Sequence, residues 1–178
     1  MRIISGKYKN REIIGYDISG TRPTMDRVRE SLFSMIQGYI EKSVVLDLFA
    51  GSGALGFECL SNNASKCYFV DKNKLSINAI KNTASKFGDV NFDVSVSDYS
   101  RALSSYVLSG ISFDVIFLDP PYNMEVIGLI IDFIYDNNLL NKGGIIVCEF
   151  EKDFECDKYD LIKERKYGYK KIKIFKNN

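Results

Sequence analysis

The stretch VVLDLFAGSGALG, residues 44–56, decides the fold. A short β-branched and apolar run predicts a buried strand, and it passes through a glycine-rich turn into helix-forming residues. Gly51, Gly53 and Gly56 match the spacing G-x-G-x-x-G, which is typical of a turn that closely approaches a nucleoside-bearing ligand. Asp71 stands at the end of the next β-rich run, where such folds carry an acid for the ribose.

Strand-like and helix-like segments alternate along the rest of the chain, which predicts an α/β, doubly wound, mostly parallel Rossmann-like sheet. The predicted strands are 44–49, 66–71, 91–96, 113–119 and 144–150. The predicted helices are 24–41, 54–61, 73–86, 98–108 and 124–138. Ligands bind such sheets beyond the carboxyl ends of the strands, so we expect the functional residues in the loops that follow them.

Both ends of the chain differ from this pattern. Residues 159–165 and 171–175, with Gly168 between them, predict an antiparallel hairpin at the edge of the sheet. The start, RIIS and then REII, predicts a small β-hairpin within an extension of residues 1–22. We therefore expect one domain over 1–178, in which 23–178 form the catalytic core.

Charge is unevenly distributed, although the net charge is only +1. Residues 1–11 contain four basic side chains and no acid, and residues 161–178 contain seven basic side chains against one acid. The remaining body is therefore acidic. Basic ends suit contact with a polyanion, but solvated lysine faces explain the same pattern.

Several kinds of chemistry are disfavoured by composition. The chain has no histidine, which makes a zinc site or a histidine-based triad hard to build. Its four cysteines form no CxxC pair and lie in or beside apolar runs, which indicates core residues in a reducing compartment. The sequence contains neither a signal peptide pattern nor a membrane-length apolar run. We expect a cytoplasmic protein that uses no metal.

The stretch FLDPPYN, residues 117–123, contains the candidate catalytic group. Proline cannot continue a central strand, so Pro120 ends the strand and leaves Asp119 and the nearby carbonyls as rigid acceptors. These acceptors could orient the exocyclic amine of a nucleobase for attack, and Tyr122 offers a ring on which the base could stack. A turn that merely ends a buried strand would explain the prolines but not the acid and the ring together.

The ligand of the glycine turn follows from charge. A dinucleotide would bring a pyrophosphate towards acids at the strand ends, whereas S-adenosylmethionine brings a cationic sulfonium, an ammonium and ribose hydroxyls. Asp47 lies within the first strand, four residues before Gly51. S-adenosylmethionine is therefore the favoured cofactor, with a nicotinamide-binding oxidoreductase as the alternative.

Together, DLFAGSGALG and DPPY resemble the Rossmann-type amino-methyltransferases, and RPTMDRVRESLF with MRIISGKYKNRE is similar to the RsmD family of 16S ribosomal RNA (guanine-N2)-methyltransferases. The resemblance covers essentially the whole chain and implies catalytic roles for Asp119, Pro120 and Tyr122. It further implies that the cofactor is bound by Thr24, Asp47, Gly51, Gly53, Asp71 and Asp98. Met25 and Tyr99 depart from the residues usual in the family.

The resemblance implies ribosomal RNA as the partner, either free or within a small-subunit particle, and we expect a monomeric enzyme. We expect phosphate contacts from basic residues near the active-site edge, namely Arg2, Lys7, Lys9, Arg11 and Arg22. A DNA amino-methyltransferase remains an alternative because it would share DPPY, although no inserted segment is large enough for a target-recognition domain. A non-catalytic nucleic-acid-binding protein is a further alternative, and it leaves DPPY unexplained.

Overall fold

A computed structural model describes residues 1–15, 26–121 and 126–178. The helices are α1 (Asp26–Ile36), α2 (Ala54–Ser61), α3 (Lys74–Phe87), α4 (Tyr99–Leu108) and α5 (Ile127–Asp136). The strands are β1 (Val44–Asp47), β2 (Lys66–Asp71), β3 (Phe92–Val96), β4 (Phe113–Leu118), β5 (Leu140–Phe150), β6 (Asp160–Tyr167) and β7 (Lys170–Lys176). One 3₁₀ turn, Gln37–Tyr39, extends α1.

The strands form one sheet in the order β3-β2-β1-β4-β5-β7-β6. The first five strands in this order are parallel, and β7 pairs antiparallel with both β5 and β6. The predicted class, a mostly parallel Rossmann-like sheet with a C-terminal antiparallel hairpin, is confirmed. Because the parallel strands share one direction, their carboxyl ends meet at one edge of the sheet, which we call the carboxyl edge.

Helices cover both faces of the sheet, and alternate strand residues divide between two apolar layers. Val45, Phe117 and Val147 face the layer that contains α1, α2 and α3. Leu46, Ile116 and Cys148 face the opposite layer, which contains α4 and α5. The near-continuous apolar runs of the central strands follow from burial on both sides.

The start of the chain folds back on itself in a short antiparallel pairing, in which Arg2 bridges Glu12 and Ile3 N donates to the carbonyl of Arg11 over 2.9 Å. The small hairpin that the sequence predicted is present, although it is too short to form regular strands. Its apolar residues Ile3, Tyr8 and Ile13 are buried in the α1–α3 layer. Packing against helices anchors this short pairing, because N–H groups that are not used within it find acceptors on those helices. Ile4 N donates to Glu58 Oε1 over 2.7 Å, and Ile14 N donates to Thr83 Oγ1 over 3.0 Å.

A buried ion pair fixes α1, α2 and the N-terminal segment to one another. Arg29 on α1 is fully buried, and its Nε lies 3.4 Å from Oε1 of the equally buried Glu58 on α2. Arg29 Nη2 also donates to the carbonyl of Arg2 over 2.5 Å. Burial raises the pKa of Glu58, whereas the Ile4 N–H and the Arg29 guanidinium lower it. The pair is enclosed within the fold, so we assign it a structural role.

Candidate active site

Four carboxylates lie in a row along the carboxyl edge. Each of these acids lies two positions after a buried strand residue that faces the α1–α3 layer. The pairs are Phe69 and Asp71, Val45 and Asp47, Phe117 and Asp119, and Val147 and Glu149. Strand side chains alternate with a period of two, so all four acids project on the face that carries α1, α2 and α3. The row runs across β2, β1, β4 and β5, which are neighbours in the sheet. The structure thus brings together three of the predicted site residues and adds a fourth.

The glycine turn lies beside this row, between β1 and α2. Gly51 and Gly53 have φ values of +53° and +76°, which L side chains rarely adopt. A Cβ on Gly51 would meet no atom within 4 Å, so the turn leaves open space above its backbone. A Cβ on Gly56 would lie 2.2 Å from the Phe69 ring, so that glycine is needed for α2 to pack against β2. The first glycine leaves room above its backbone, and the third is needed for packing.

Asp71 fastens the glycine turn to β2. Its Oδ2 accepts from Gly51 N over 2.8 Å, and its Oδ1 accepts from Asn73 N over 2.7 Å. The side chain keeps partial exposure beside the turn. Carboxylate oxygens can each accept more than one donor, so this geometry is compatible with ribose hydroxyls at the same group.

Asp98 is exposed and serves as the N-cap of α4. Its Oδ1 accepts from Arg101 N over 3.0 Å, and this hydrogen bond is the main cause that lowers the pKa of Asp98. It follows β3, which lies beyond β2 in the sheet, so it stands at the far end of the row from Asp119. Its role in binding the cofactor, which the family resemblance implies, stays a prediction.

Asp47 is almost completely buried, with 3% exposure. Its Oδ2 accepts from Gly56 N over 3.1 Å. Helix α2 has no side-chain N-cap, so Asp47 on β1 satisfies an N–H group of its first turn instead. Burial raises the pKa of Asp47 to about 7, against the effect of the Gly56 hydrogen bond, and the Asp71 carboxylate raises it further. Asp47 therefore lies beneath the glycine turn and fixes the start of α2 to β1.

Asp119 stands immediately after β4, at the centre of the row. The pKa of Asp119 is raised to about 8, mainly by burial and also by the Glu149 carboxylate, and the Lys170 ammonium opposes the shift. Glu149 on β5 is 7% exposed and forms an ion pair with Lys170 at the start of β7. Asp119 therefore occupies an acceptor position at which its carboxylate is a much stronger base than an exposed aspartate.

A cleft of about 460 Å³ opens beside Asp119. Its walls come from the start of α5, the chain that follows β5, and the start of β7. Pro120 is buried and Pro121 is exposed, and both line the cleft. Thr24, Arg22 and Tyr122 lie outside the described residues, so their predicted roles remain predictions.

The predicted RNA contacts divide by position. Lys7 N donates to the carbonyl of Ser61 at the end of α2, and Arg11 Nη1 donates to the carbonyl of Lys86 at the end of α3. The ends of these helices lead into the starts of β2 and β3, so this segment packs against the amino edge of the sheet. Lys7, Lys9 and Arg11 are exposed but do not lie beside the carboxyl edge, where the sequence analysis had placed them. The exposed Arg2 lies near Arg29, closer to the middle of the molecule.

The C-terminal hairpin instead brings basic residues to the carboxyl edge. Lys171 on β7 pairs with Phe150, the last residue of β5. The turn at Gly168 that joins β6 to β7 therefore lies at the carboxyl edge. Lys166 and Tyr169 are exposed there. Charge counts showed that both ends are basic but could not show which end lies beside the site, because that depends on strand direction and packing.

Glu149 was not among the predicted site residues. The signal was present in GIIVCEF, residues 144–150, where a single acid interrupts a buried strand in the same phase as Asp119. Within the described residues, no cluster of acids or cysteines is arranged to hold a metal ion. None of the described helices combines the length and apolar character that crossing a bilayer requires.

Comparisons with known proteins agree on one family. The family model described as Conserved hypothetical protein 95 matches residues 1–176. The chain is 34% identical to Ribosomal RNA small subunit methyltransferase D of Haemophilus influenzae, over 99% of this chain and 94% of that protein. It is 35% identical to the protein of the same name from Escherichia coli, over 85% of this chain and 75% of that protein.

The structural comparison covers the whole chain. A solved structure of yhhF from Escherichia coli, described provisionally as a methyltransferase, has a TM-score of 0.88 and 30% identity, and covers 100% of this chain and 98% of that one. The seven-stranded sheet with its C-terminal antiparallel hairpin therefore belongs to a shared architecture. The chain is a member of the RsmD family, whose model carries the description Conserved hypothetical protein 95.

Proposed function

We propose that this protein transfers a methyl group from S-adenosylmethionine to the exocyclic N2 amine of a guanine in small-subunit ribosomal RNA. The observation that carries the proposal is the position of Asp119, which stands between the glycine turn on one side and an open cleft on the other. An acceptor at that position can hold an amine that enters from the cleft. The names of the relatives support ribosomal RNA as the substrate.

The residues around the glycine turn fit the cofactor. Open space above Gly51 admits a ligand close to the backbone, and Asp71 lies beside it with both oxygens aligned by N–H groups. We assign the ribose hydroxyls to Asp71 and the adenine side to Asp98, and the methionine end to Asp47, Gly51, Gly53 and Thr24. When bound, S-adenosylmethionine supplies an electrophilic methyl group and a positive charge that suits an edge rich in carboxylates.

Asp119 and the Pro120 carbonyl orient the amine. The lone pair of an exocyclic amine is delocalised into the base, so the amine is a poor nucleophile while it stays planar. Hydrogen bonds from its two N–H groups to these acceptors favour a geometry in which the lone pair points towards the methyl group. Transfer would form the N–C bond while the methyl–sulfur bond breaks, and the electron pair of that bond would leave with the sulfur as a neutral thioether. The nitrogen then loses a proton, and the raised pKa of Asp119 makes its carboxylate a suitable acceptor near neutral pH. Tyr122 completes the proposal as the ring on which the base stacks.

RNA binding follows from the basic surfaces. We assign phosphate contacts to Arg2, Lys7, Lys9, Arg11 and Arg22, and we expect the enzyme to act as a monomer. Because Lys7 and Lys9 are separated from the glycine turn by the length of α2, roughly 12 Å for eight residues, the RNA would have to extend across the α1–α3 face. A structured ribosomal RNA, free or in a particle, is large enough to do so.

Methyl transfer to defined substrates tests the proposal. Labelled S-adenosylmethionine is incubated with 16S rRNA, small-subunit particles, tRNA and genomic DNA from a strain that lacks the protein, and the labelled nucleoside is identified after digestion. We expect label in 16S rRNA as N2-methylguanosine. Label in DNA as a methylated adenine or cytosine would favour the DNA amino-methyltransferase instead. The Asp119→Ala variant, which removes the acceptor, serves as the control with lost activity, and the Asp132→Asn variant, which changes an exposed carboxylate of the same cleft, serves as the active one.

A further inference from the structure

Glu149 is the one member of the carboxylate row to which the proposed function gives no role. It lies on β5 next to Asp119, since Leu118 pairs with Cys148 and both acids follow in register. It is 7% exposed, although it is a glutamate within an otherwise apolar strand. A carboxylate in such a position needs a partner, and Lys170 provides one from the start of β7.

Glu149 and Asp119 together line the floor of the cleft. Both acids also border a small adjoining cavity beneath Leu32 of α1 and Leu55 of α2. Leu55 lies in the first turn of α2, just after the glycine turn, so this cavity faces the cofactor side. The two carboxylates therefore stand where the cofactor region meets the cleft, which is where the methylated atom has to lie.

The cleft is rich in hydrogen-bond acceptors. Its charged lining consists of six acids and two lysines, namely Asp119, Asp132, Glu149, Glu151, Asp153, Glu155, Lys152 and Lys170. Acceptors of this kind favour a ligand face made of donors, and they repel a face that presents a ring-nitrogen lone pair. Asp119 alone cannot make that distinction, because every amino-bearing base offers it an N–H.

Guanine differs from the other amino-bearing bases in the atom next to its amine. The N2 amine of guanine adjoins N1–H, so two donors lie side by side. The N6 amine of adenine and the N4 amine of cytosine each adjoin a ring nitrogen that is an acceptor. A second carboxylate beside the one that binds the amine would therefore accept from guanine and repel adenine or cytosine.

We propose that Glu149 is a specificity-determining residue that accepts the N1–H of the target guanine while Asp119 accepts an N2–H. Lys170 positions the Glu149 carboxylate through their ion pair, and a carboxylate has about four lone-pair sites, so the ion pair does not exhaust its capacity to accept. This inference rests on the proposed guanine-N2 activity and explains why that activity would be confined to guanine.

An analogue of guanine isolates the N1 contact. 2,6-Diaminopurine carries the same 2-amino group, but its N1 is an acceptor without a hydrogen and its C6 bears an amine in place of the carbonyl. The Glu149→Gln variant separates the two differences, because only the N1 contact is assigned to Glu149. The target guanine, once mapped by the nucleoside analysis, is replaced by 2,6-diaminopurine in an RNA assembled from synthetic segments. Single-turnover methyl transfer is then measured on both RNAs with the parent protein and with Glu149→Gln. The amide of glutamine can turn its NH₂ towards an acceptor, which the carboxylate cannot do.

We expect the parent protein to prefer guanine over 2,6-diaminopurine by at least about a hundredfold, in line with sites built to hydrogen-bond one donor. Glu149→Gln should reduce that preference by about tenfold or more, through slower transfer to guanine and faster transfer to the analogue. Glu151→Gln, an exposed acid of the same cleft, should leave the ratio unchanged. An equal preference in the parent and Glu149→Gln would overturn the inference.

Two further measurements keep the outcome unambiguous. If Glu149→Gln alone does not fold, the double variant Glu149→Gln/Lys170→Met removes the unpaired cation together with the acid, and the same ratio is measured on it. Failure of the proposed function has a different signature, since the parent protein would then yield no N2-methylguanosine from any guanine RNA. If the parent protein makes N2-methylguanosine but does not discriminate against the analogue, only the specificity role of Glu149 is contradicted.

Discussion

Buried charge is handled differently at the carboxyl edge and in the contact between the N-terminal segment and the helices. Burial raises the pKa of Glu58, but Glu58 lies between a backbone N–H and a guanidinium that both lower this pKa and stabilise the ionised form. Burial and then the neighbouring Glu149 carboxylate raise the pKa of Asp119 to about 8, against the opposing effect of the Lys170 ammonium. The first arrangement suits a structural ion pair, and the second suits a group that has to exchange protons with a substrate.

The two basic ends of the chain also differ in whether their charges support packing or lie beside the candidate site. Arg11 donates to carbonyls at the end of α3 and stacks against Tyr8, so part of the positive charge at the N-terminus supports packing. The hairpin at the C-terminus places Lys170 in the cleft itself. A similar content of basic residues therefore has different consequences at the N-terminus and at the C-terminus. Substitutions in the two regions should accordingly affect stability, methyl transfer or binding separately.

The largest effect is expected from Arg29→Met, which leaves Glu58 buried without its cation. Breaking one side of a buried ion pair costs about 3 to 5 kcal/mol, and urea unfolding monitored by circular dichroism would measure the loss. The double variant Arg29→Met/Glu58→Gln should regain much of it, because the glutamine oxygen can still accept from Ile4 N. A loss below about 1 kcal/mol in the single variant would contradict a structural role for the pair. Asp26→Asn, which changes the exposed partner of Arg29, is the matched control.

Asp119→Ala should lower the rate of methyl transfer at least about a hundredfold, which corresponds to 2.7 kcal/mol or more. The amine would lose the acceptor that orients it, whereas the cofactor contacts assigned to Asp71 would persist. Single-turnover kinetics and calorimetric titration with S-adenosylmethionine separate the two properties. Equal losses in rate and in cofactor affinity would place Asp119 in the cofactor site instead.

Asp71→Ala should weaken S-adenosylmethionine binding by about 1.5 to 3 kcal/mol, the range for hydrogen bonds to a charged group. The variant also frees the N–H groups of Gly51 and Asn73, so the glycine turn should become less ordered. Titration calorimetry measures the affinity, and thermal unfolding shows whether the fold persists. Unchanged affinity would mean that the adenosine lies elsewhere.

The pH dependence of kcat/KM should report the carboxyl pair. Asp119 accepts a proton only in its ionised form, so activity should rise about tenfold per pH unit below about 8 and level off above it. The apparent value belongs to Asp119 and Glu149 together, because they interact. A profile measured from pH 6 to pH 9.5 tests this expectation, and a flat profile in the parent protein would contradict it. The residual activity of Asp119→Asn should lack the rise.

The smallest effects concern RNA affinity. Replacing Lys7 and Lys9 by Gln should flatten the slope of log affinity against log salt by about 1.4 to 1.8 units, at 0.7 to 0.9 per lost phosphate contact. Replacing Arg165 and Lys166 by Gln at the hairpin should have a similar effect. Filter binding over a range of salt concentrations compares them. If only the hairpin pair changes the slope, Lys7 and Lys9 are solvated and the RNA stays at the carboxyl edge.

Strong local patterns predicted the fold well. The bounds of α2 and β2 agree with those predicted from the sequence, because a glycine turn, a β-branched run and a strand-end acid mark them. The first helix ends at Ile36, before the predicted residue 41, and continues only as a 3₁₀ turn. Strand β5 begins at Leu140 although Gly143 and Gly144 suggested a later start, since pairing with Phe113 carries the strand through them.

The site was predictable only in part. Asp47 and Asp119 were identified because each lies near a glycine or proline signal, and Asp71 because it ends the second predicted strand, twenty residues after Gly51. Glu149 lies within an apolar run that has no such neighbour, so the single acid in that run was the whole signal for it. The location of the N-terminal cations depended on where Ile3, Tyr8 and Ile13 find a buried surface. Contacts between segments that are distant in the sequence determine this location, and local sequence patterns do not predict such contacts.

The four cysteines offer an experimental handle. Cys59, Cys67 and Cys148 are buried, and burial raises the pKa of each thiol well above its usual value, so all three should resist alkylation in the native protein. Cys156 is only half-buried and directly follows Glu155, which lines the cleft. A maleimide dye should therefore attach at one position without any engineered mutation. Its fluorescence would then report, in real time, when RNA enters the cleft and when the methylated product leaves.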